Sequence, residues 1–297
     1  MPKISIIIPA KNERFLFETV EDIYRKSTED IEVIAVLDGY WPEATRLPKE
    51  HKTLSYLHFG EGRGMRAGIN AAAAVARGKY LLKCDGHVMF AEGFDAELLK
   101  ECGRHDVVVP RRYALDAEKW EVKTDRRAID YHYLSYPYAK PDEIGMHGQP
   151  WFERAVARTE TLIDEEMSSQ GSCWFMRKHH FDTCLGGALE EAGYGSFVQE
   201  FQEIGLKTWL SGGRVLVNKK TWYAHLHKGK QYGRGYFIDK REMIRGAHFS
   251  ADFWMNNRWK NKRYGIEWLV EKFWPVPTWP VDFLENPDKY RKPQPKK

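Results

Sequence analysis

At 297 residues, 42% of them hydrophobic and 14% aromatic, the chain has material for an ample core and is excluded from the disordered class. A net charge of +4 leaves the overall field weak, so a charged partner has to be sought in local clusters. The four cysteines lack CxxC spacing, which excludes a zinc site of that kind and suits a reducing compartment.

The elements follow in chain order. Residues 3–9 (Lys-Ile-Ser-Ile-Ile-Ile-Pro) form a β-branched run stopped by proline, the pattern of a buried parallel strand. Met1 runs straight into it, leaving no room for a signal peptide, and no apolar run approaches the roughly 20 residues that span a bilayer. A soluble, cytoplasmic protein is therefore expected. Phe15 to Lys26 has helical spacing with Phe17, Val20 and Ile23 on one face. Ile31 to Leu37 is a second buried strand ending in Asp38-Gly39, and Leu54 to Phe59 is a short third. After the turn Glu61-Gly62-Arg63-Gly64, an alanine-rich helix runs from Arg66 to Arg77 and stops at Gly78. Tyr80 to Cys84 is a fourth strand and Val107 to Pro110 a further one.

Residues 111–170 are polar, aromatic and weakly periodic, and a stretch of that length in a compact domain is more often functional than idle. Periodicity returns at Gly171 to Met176, in a helix from Ser196 to Leu210 closed by Gly212-Gly213, and in a strand from Arg214 to Asn218. Beyond Lys228 the chain reads as helices and then a tail rich in Pro and Lys. Alternating strands and helices predict right-handed crossovers and a doubly wound, mostly parallel α/β sheet with helices on both faces.

The fourth strand stops on Asp85-Gly86-His87, which places a carboxylate and an imidazole on one side of the strand end. Such a pair suits a divalent ion, and the carboxyl edge of an open α/β sheet is where ligands bind. Glu13 lies just past the first strand and Asp38 ends the second. Any one of these is explained as a helix cap. Three positions on the same edge fit a nucleotide-sugar site better, because a diphosphate needs a cation and a strand-end carboxylate accepts base or ribose hydrogen bonds.

These segments carry a resemblance. Ile4 to Pro9 followed by Ala10-Lys11-Asn12-Glu13, then Val36-Leu37-Asp38-Gly39, then Gly64-Met65-Arg66-Ala67-Gly68-Ile69-Asn70 leading to Asp85-Gly86-His87, resemble a glycosyltransferase of the GT-A fold. The likeness is to family two and, more closely, to the polypeptide N-acetylgalactosaminyltransferases, which also carry Asp-x-His. It continues through Gly171 to Phe181, Leu185-Gly186-Gly187, Gln199-Glu200-Phe201-Gln202-Glu203, Trp209 to Gly213 and Trp222-Tyr223-Ala224-His225, so it spans residues 3–227.

The resemblance implies a metal-dependent transferase whose donor is a UDP-sugar. Asp85, His87 and His225 would ligate Mn²⁺ or Mg²⁺, with His227 competing for the third place. The mixed nitrogen and oxygen set favours Mn²⁺. Asp38 and Glu13 would hold the nucleoside, Pro9 would shape the turn, and Arg66 would reach the diphosphate. Glu200 would be the general base if configuration inverts, and Glu203 a supporting carboxylate. Inverting relatives have adjacent acidic residues where this chain has Gln199-Glu200, and the closer relatives retain configuration, so the stereochemistry stays open. The Asp-Asp-Gly-Ser common after the second strand is reduced to Leu37-Asp38-Gly39-Tyr40.

The same reading divides the chain into a catalytic domain over 1–227, with a nucleotide and metal half (1–110) and an acceptor half (111–227), and a helical, basic and aromatic extension over 228–297. Residues 219–263 hold twelve Lys/Arg against three Asp/Glu, interleaved with aromatic residues. Basic side chains neutralise phosphates and rings stack on bases, so this stretch describes a nucleic-acid surface and DNA bearing a hydroxymethylated pyrimidine as acceptor. Saccharide and lipid-linked acceptors stand beside it, since the same mixture docks on anionic membranes and rings also bind sugars, and a protein acceptor stays open as well. A non-catalytic nucleotide-sugar or nucleic-acid binding module is the alternative of another class.

Overall fold

The computed structural model describes residues 1–43, 51–140 and 144–291. The elements are β1 Ile4–Ala10, α1 Leu16–Lys26, β2 Ile31–Asp38, β3 Leu54–Phe59, α2 Met65–Val75, β4 Tyr80–Cys84, β5 Val88–Phe90, α3 Phe94–Glu101, β6 Asp106–Asp116, β7 Glu121–Val122 and β8 His132–Leu134. They continue as β9 Gly148–Pro150, α4 Phe152–Ala157, β10 Ile163–Glu165, β11 Cys173–Arg177, α5 Lys178–Cys184, α6 Glu200–Leu210, β12 Arg214–His225, α7 Gly229–Tyr232, α8 Lys240–Met255 and α9 Ile266–Lys272.

Among the described residues one large sheet runs β10-β12-β6-β11-β4-β1-β2-β3, with β5 beside β12 and β7 beside β6. The β-branched runs at its centre pair in parallel: β1 lies between β2 and β4, in the register Ile7 to Ile34 and Ile7 to Lys83. β11 inserts antiparallel between β4 and β6. The result is a mixed, mostly parallel α/β sheet.

Alternate residues of the strands feed two cores, as the two-residue period of a pleated strand requires. Ile6, Ile8, Val33 and Ala35 pack with Leu16, Val20 and Ile23 of α1 and with Phe94 and Leu98 of α3. Ile7, Ile34, Val36 and Leu81 face the other way, onto α2, α5, α6, α8 and α9. The buried stripe of α1 is thus Leu16, Val20 and Ile23; Phe17, expected on that face, is 38% exposed.

The strand expected to end at Asn218 runs on to His225, with a register shift between Asn218 and Trp222. The helix expected from Ser196 starts at Glu200, because Gln199 takes a left-handed conformation, φ 51°. Beyond residue 228, Trp254, Trp259, Leu269, Phe273, Trp279 and Phe283 are buried in the same core as Trp174 and Trp209. The Pro- and Lys-rich tail lies outside the described residues from 292 onward. No described helix is long and apolar enough to cross a membrane.

Candidate active site

The carboxyl ends of β1, β2 and β4 open onto a cleft of about 1150 Å³. Its floor is set by the break after β4. Cys84 is the last residue of the strand, the Asp85 amide still donates to the Ser172 carbonyl at 3.0 Å, and the chain turns through Gly86 and His87 into β5. β5 pairs antiparallel with the end of β12, Val88 opposite His225, and the Leu226 amide donates to the His87 carbonyl. Two segments 140 residues apart in sequence are thereby held side by side.

Asp85, His87 and His225 each offer a ligand atom, all within 4.8 Å of one another. Asp85 Oδ2 lies 3.2 Å from His225 Nε2 and 3.9 Å from His87 Nε2. Burial pushes the His225 imidazole down to about 3, against the pull of Asp85, so it is neutral at physiological pH, the form that ligates metals. Burial would raise the Asp85 carboxyl, but Lys83, His225 and His87 outweigh it and hold it well below the usual carboxylate range. One carboxylate and two imidazoles on a rigid strand junction fit a divalent ion that accepts nitrogen and oxygen donors. His227 sits exposed at the same cleft, its ring 4.9 Å from that of His225, outside the group of three.

Glu13 is already engaged with the Asp-x-His histidine. It lines the cleft beside Pro9, Ala10 and Lys11, and its Oε2 meets His87 Nδ1 at 2.9 Å and accepts from Lys228 Nζ at 2.7 Å. Burial pushes this carboxyl up, but His87 and Lys228 more than offset it and keep it below its ordinary value. A carboxylate on the far nitrogen of a ligating imidazole fixes its tautomer and orientation. The tripeptide needs its glycine here, because a Cβ at position 86 would stand 2.7 Å from Glu13 Cγ.

Asp38, buried at the end of β2, accepts from the amides of Arg63 and Gly64 at 2.5 and 3.0 Å and lies 3.5 Å from Lys11 Nζ. It lines the cleft together with Pro9, Ala10 and Lys11. Arg66 does not line it, which corrects the expectation that this arginine reaches a diphosphate. Fully buried, it donates to the carbonyls of Glu190 and Val198, pairs with Glu203 and stacks 4.2 Å over the Tyr194 ring. All three guanidinium nitrogens donate inside the protein. Glu203 is likewise engaged, with Arg66 and, at 2.6 Å, Lys207.

Glu200 begins α6 at the back of the cleft. Trp174 Nε1 donates to its Oε1 at 2.5 Å, and Lys83 Nζ lies 3.2 Å from its Oε2. Burial raises this carboxyl above its ordinary value, with Lys83 and Trp174 opposing. Gly171 makes room for it, since a Cβ there would come within 2.7 Å of Oε2.

Sequence reasoning missed Lys83. This fully buried lysine also donates to Asp85 Oδ1 at 2.8 Å and to the Gly171 carbonyl at 2.6 Å. Burial alone would lower its pKa, but Asp85 and Glu200 keep it charged. The signal was a single cation inside the apolar run of residues 80–84, two positions before the Asp-x-His aspartate. Gln199 is a buried residue of the cleft wall whose amide nitrogen and oxygen have no hydrogen-bond partner.

Residues 219–263 do not form one surface. Tyr223, Trp254 and Trp259 are core. The amides of Arg263 and Tyr264 donate to the Leu210 carbonyl, at the end of α6 opposite Glu200, about 15 Å away along an 11-residue helix. Of the described residues in this stretch, those that border the cleft lie between His225 and Glu242.

Residues 5–182 match the family model described as glycosyl transferase family 2, more than half of the chain. The chain belongs to that family. Among solved structures, GalNAc-T7, determined with UDP, GalNAc and Mn²⁺, superposes with a TM-score of 0.65 at 16% identity, over 92% of this chain and 54% of that one. This chain thus spans about half the length of that relative. The 1–349 fragment of S. aureus TarS gives a TM-score of 0.48 at 14% identity, over 75% of this chain and 60% of that one. At those values only the first bears on the fold, which is GT-A. No curated protein sequence matches the chain.

Proposed function

We propose that this family 2 glycosyltransferase moves a sugar from a UDP-sugar to an acceptor hydroxyl with the help of Mn²⁺ or Mg²⁺. The observation that carries the reading is the convergence of Asp85, His87 and His225 on one cleft floor, with Glu200 behind them. Asp85, His87 and His225 would hold the cation, whose charge offsets that of the leaving diphosphate. Asp38 and Pro9 border the side of the cleft expected to take the nucleoside, and Glu13 keeps the His87 ring in place.

In the inverting form of the reaction the acceptor oxygen attacks the anomeric carbon and the bond to the diphosphate oxygen breaks. The diphosphate leaves with the bonding electrons, and the acceptor proton passes to Glu200. The raised affinity of Glu200 for a proton supports that role, and the Trp174 and Lys83 contacts fix the carboxylate for it.

For the acceptor we propose a saccharide, free or carried on a lipid. DNA bearing a hydroxymethylated pyrimidine would need a basic, aromatic channel leading to the cleft. Tyr223, Trp254 and Trp259 of the stretch expected to build it lie in the core, and the 258–264 basic stretch stands at the remote end of α6.

The test is mass-spectrometric: a panel of UDP-sugars with Mn²⁺, offered to saccharide, lipid-linked and hydroxymethylated duplex DNA acceptors, with UDP release followed alongside. Metal-dependent UDP release that chelator abolishes is expected, with a sugar mass added to a saccharide. No UDP release from any donor would leave a binding module. A sugar mass on DNA would restore the nucleic-acid reading.

A further inference from the structure

The cleft mouth carries an exposed apolar and cationic rim that the transfer chemistry does not use. Phe237 is 88% exposed, yet it belongs to the cleft border together with Arg234, Tyr236 and Ile238. Three residues on, α8 begins, and on its first two turns Lys240, Arg241, Ile244 and Arg245 are exposed, Ile244 to 58%. At 100° per residue these four fall within one 140° face, opposite the buried Gly246, Ala247 and Ser250.

The acidic residues of this segment are committed locally. Asp239 caps α8 by accepting from the Arg241 amide at 2.8 Å, and Glu242 accepts from the Ser196 amide and hydroxyl at 2.7 and 2.8 Å. Among the described residues, Lys240, Arg241 and Arg245 have no ion-pair partner, and Arg234 lies over the Phe197 ring at 5.8 Å.

We infer that this rim, Arg234, Phe237, Lys240, Arg241, Ile244 and Arg245, docks the enzyme on an anionic lipid surface. Docked so, the cleft mouth lies at headgroup level and receives an acceptor saccharide carried on a lipid. The inference rests on the transferase reading for its purpose and on the surface alone for its binding. Unpaired cations are attracted to anionic headgroups, while exposed aromatic and aliphatic side chains enter the interfacial layer, which DNA does not offer them. An aliphatic residue in the middle of the cationic face, with an exposed phenylalanine beside it at the cleft border, favours the lipid surface over a phosphate backbone.

The experiment is flotation of the full chain with vesicles of phosphatidylcholine alone and of phosphatidylcholine with phosphatidylglycerol, beside a duplex-DNA gel shift. Binding to the anionic vesicles only, weakening as salt rises, is expected. The triple variant Lys240→Gln, Arg241→Gln, Arg245→Gln should lose on the order of a hundredfold in vesicle affinity. Phe237→Ser should lose about tenfold or more even at low salt. Metal-dependent UDP release by the triple variant is the separate control: unchanged release with lost vesicle binding fits the inference. Vesicle binding without UDP release would leave the surface standing and sink the transferase reading. Equal binding to neutral and anionic vesicles, no vesicle binding, unaltered binding by the variants, or a DNA shift in place of vesicle binding would each overturn the inference.

Discussion

Lys83 Nζ donates to Asp85 Oδ1 at 2.8 Å, leaving Oδ2 turned toward the two histidines. The same ammonium lies 3.2 Å from Glu200, so one buried cation sets the position of a candidate metal ligand and of the candidate base. Removing it leaves two carboxylates close together without their shared cation, Glu200 being buried. Lys83→Met is expected to destabilise the chelated protein by about 3–5 kcal/mol, the usual result of breaking a buried pair from one side. Part of that loss should return on adding Mn²⁺, which supplies charge to Asp85. Thermal melts of wild type and variant, with chelator and with Mn²⁺, check this; a variant melting like wild type in chelator would count against the coupling.

Glu13 lines the cleft and touches the far nitrogen of the His87 ring. Glu13→Gln is therefore expected to weaken Mn²⁺ binding by about 10–100-fold, the range typical for partners of ligating residues. Calorimetric titration with the metal measures it. UDP affinity without metal should stay as in wild type, whereas a loss there would return Glu13 to the nucleoside.

Glu200→Gln removes a proton acceptor and keeps the shape. If configuration inverts, transfer should fall by about 10²-fold or more while UDP and Mn²⁺ still bind. Transfer rates and equilibrium binding on the same preparation separate the two. A variant that still transfers at full rate would mean that the reaction does not use this carboxylate as its base.

Arg66 is a buried structural cation. Arg66→Met is expected to cost about 3–5 kcal/mol in denaturant unfolding, because Glu203 is left buried with less compensation. At temperatures where the variant remains folded, its UDP affinity should match wild type. A tenfold weaker affinity would instead point to contact with the diphosphate.

His180 carries the pH prediction. Burial lowers its pKa to about 4, and its Nε2 lies 3.0 Å from Thr208 Oγ1. With an unfolded value near 6.5, the unfolded chain takes up a proton on acidification before the native state does. Stability should therefore fall as pH drops from about 6.5 to about 4, by at most about 1.4 kcal/mol per pH unit from this residue. Melting curves across that window should show a flatter slope for His180→Gln than for wild type; parallel slopes would remove His180 from the account.

The sequence by itself determined the central strands, because β-branched runs bounded by Pro, Gly and Asp have few other solutions, and it placed Asp85 and His87 on one strand end through a local period. It also carried the likeness that singled out His225. Only the tertiary structure decided what each charge faces. β12 had to run past Asn218 and pair with β5 before His225 stood beside His87, and a register shift mid-strand leaves no simple mark in composition. Arg66 reads in sequence as a helix residue near a glycine turn, and its burial against Glu203 and Tyr194 depends on residues more than 120 positions away. Glu13, Lys83 and the basic–aromatic stretch share that reason. A charged or aromatic side chain shows its chemistry in the sequence, but its partner, and so whether it serves the core, a ligand or the surface, is set by contacts between distant segments.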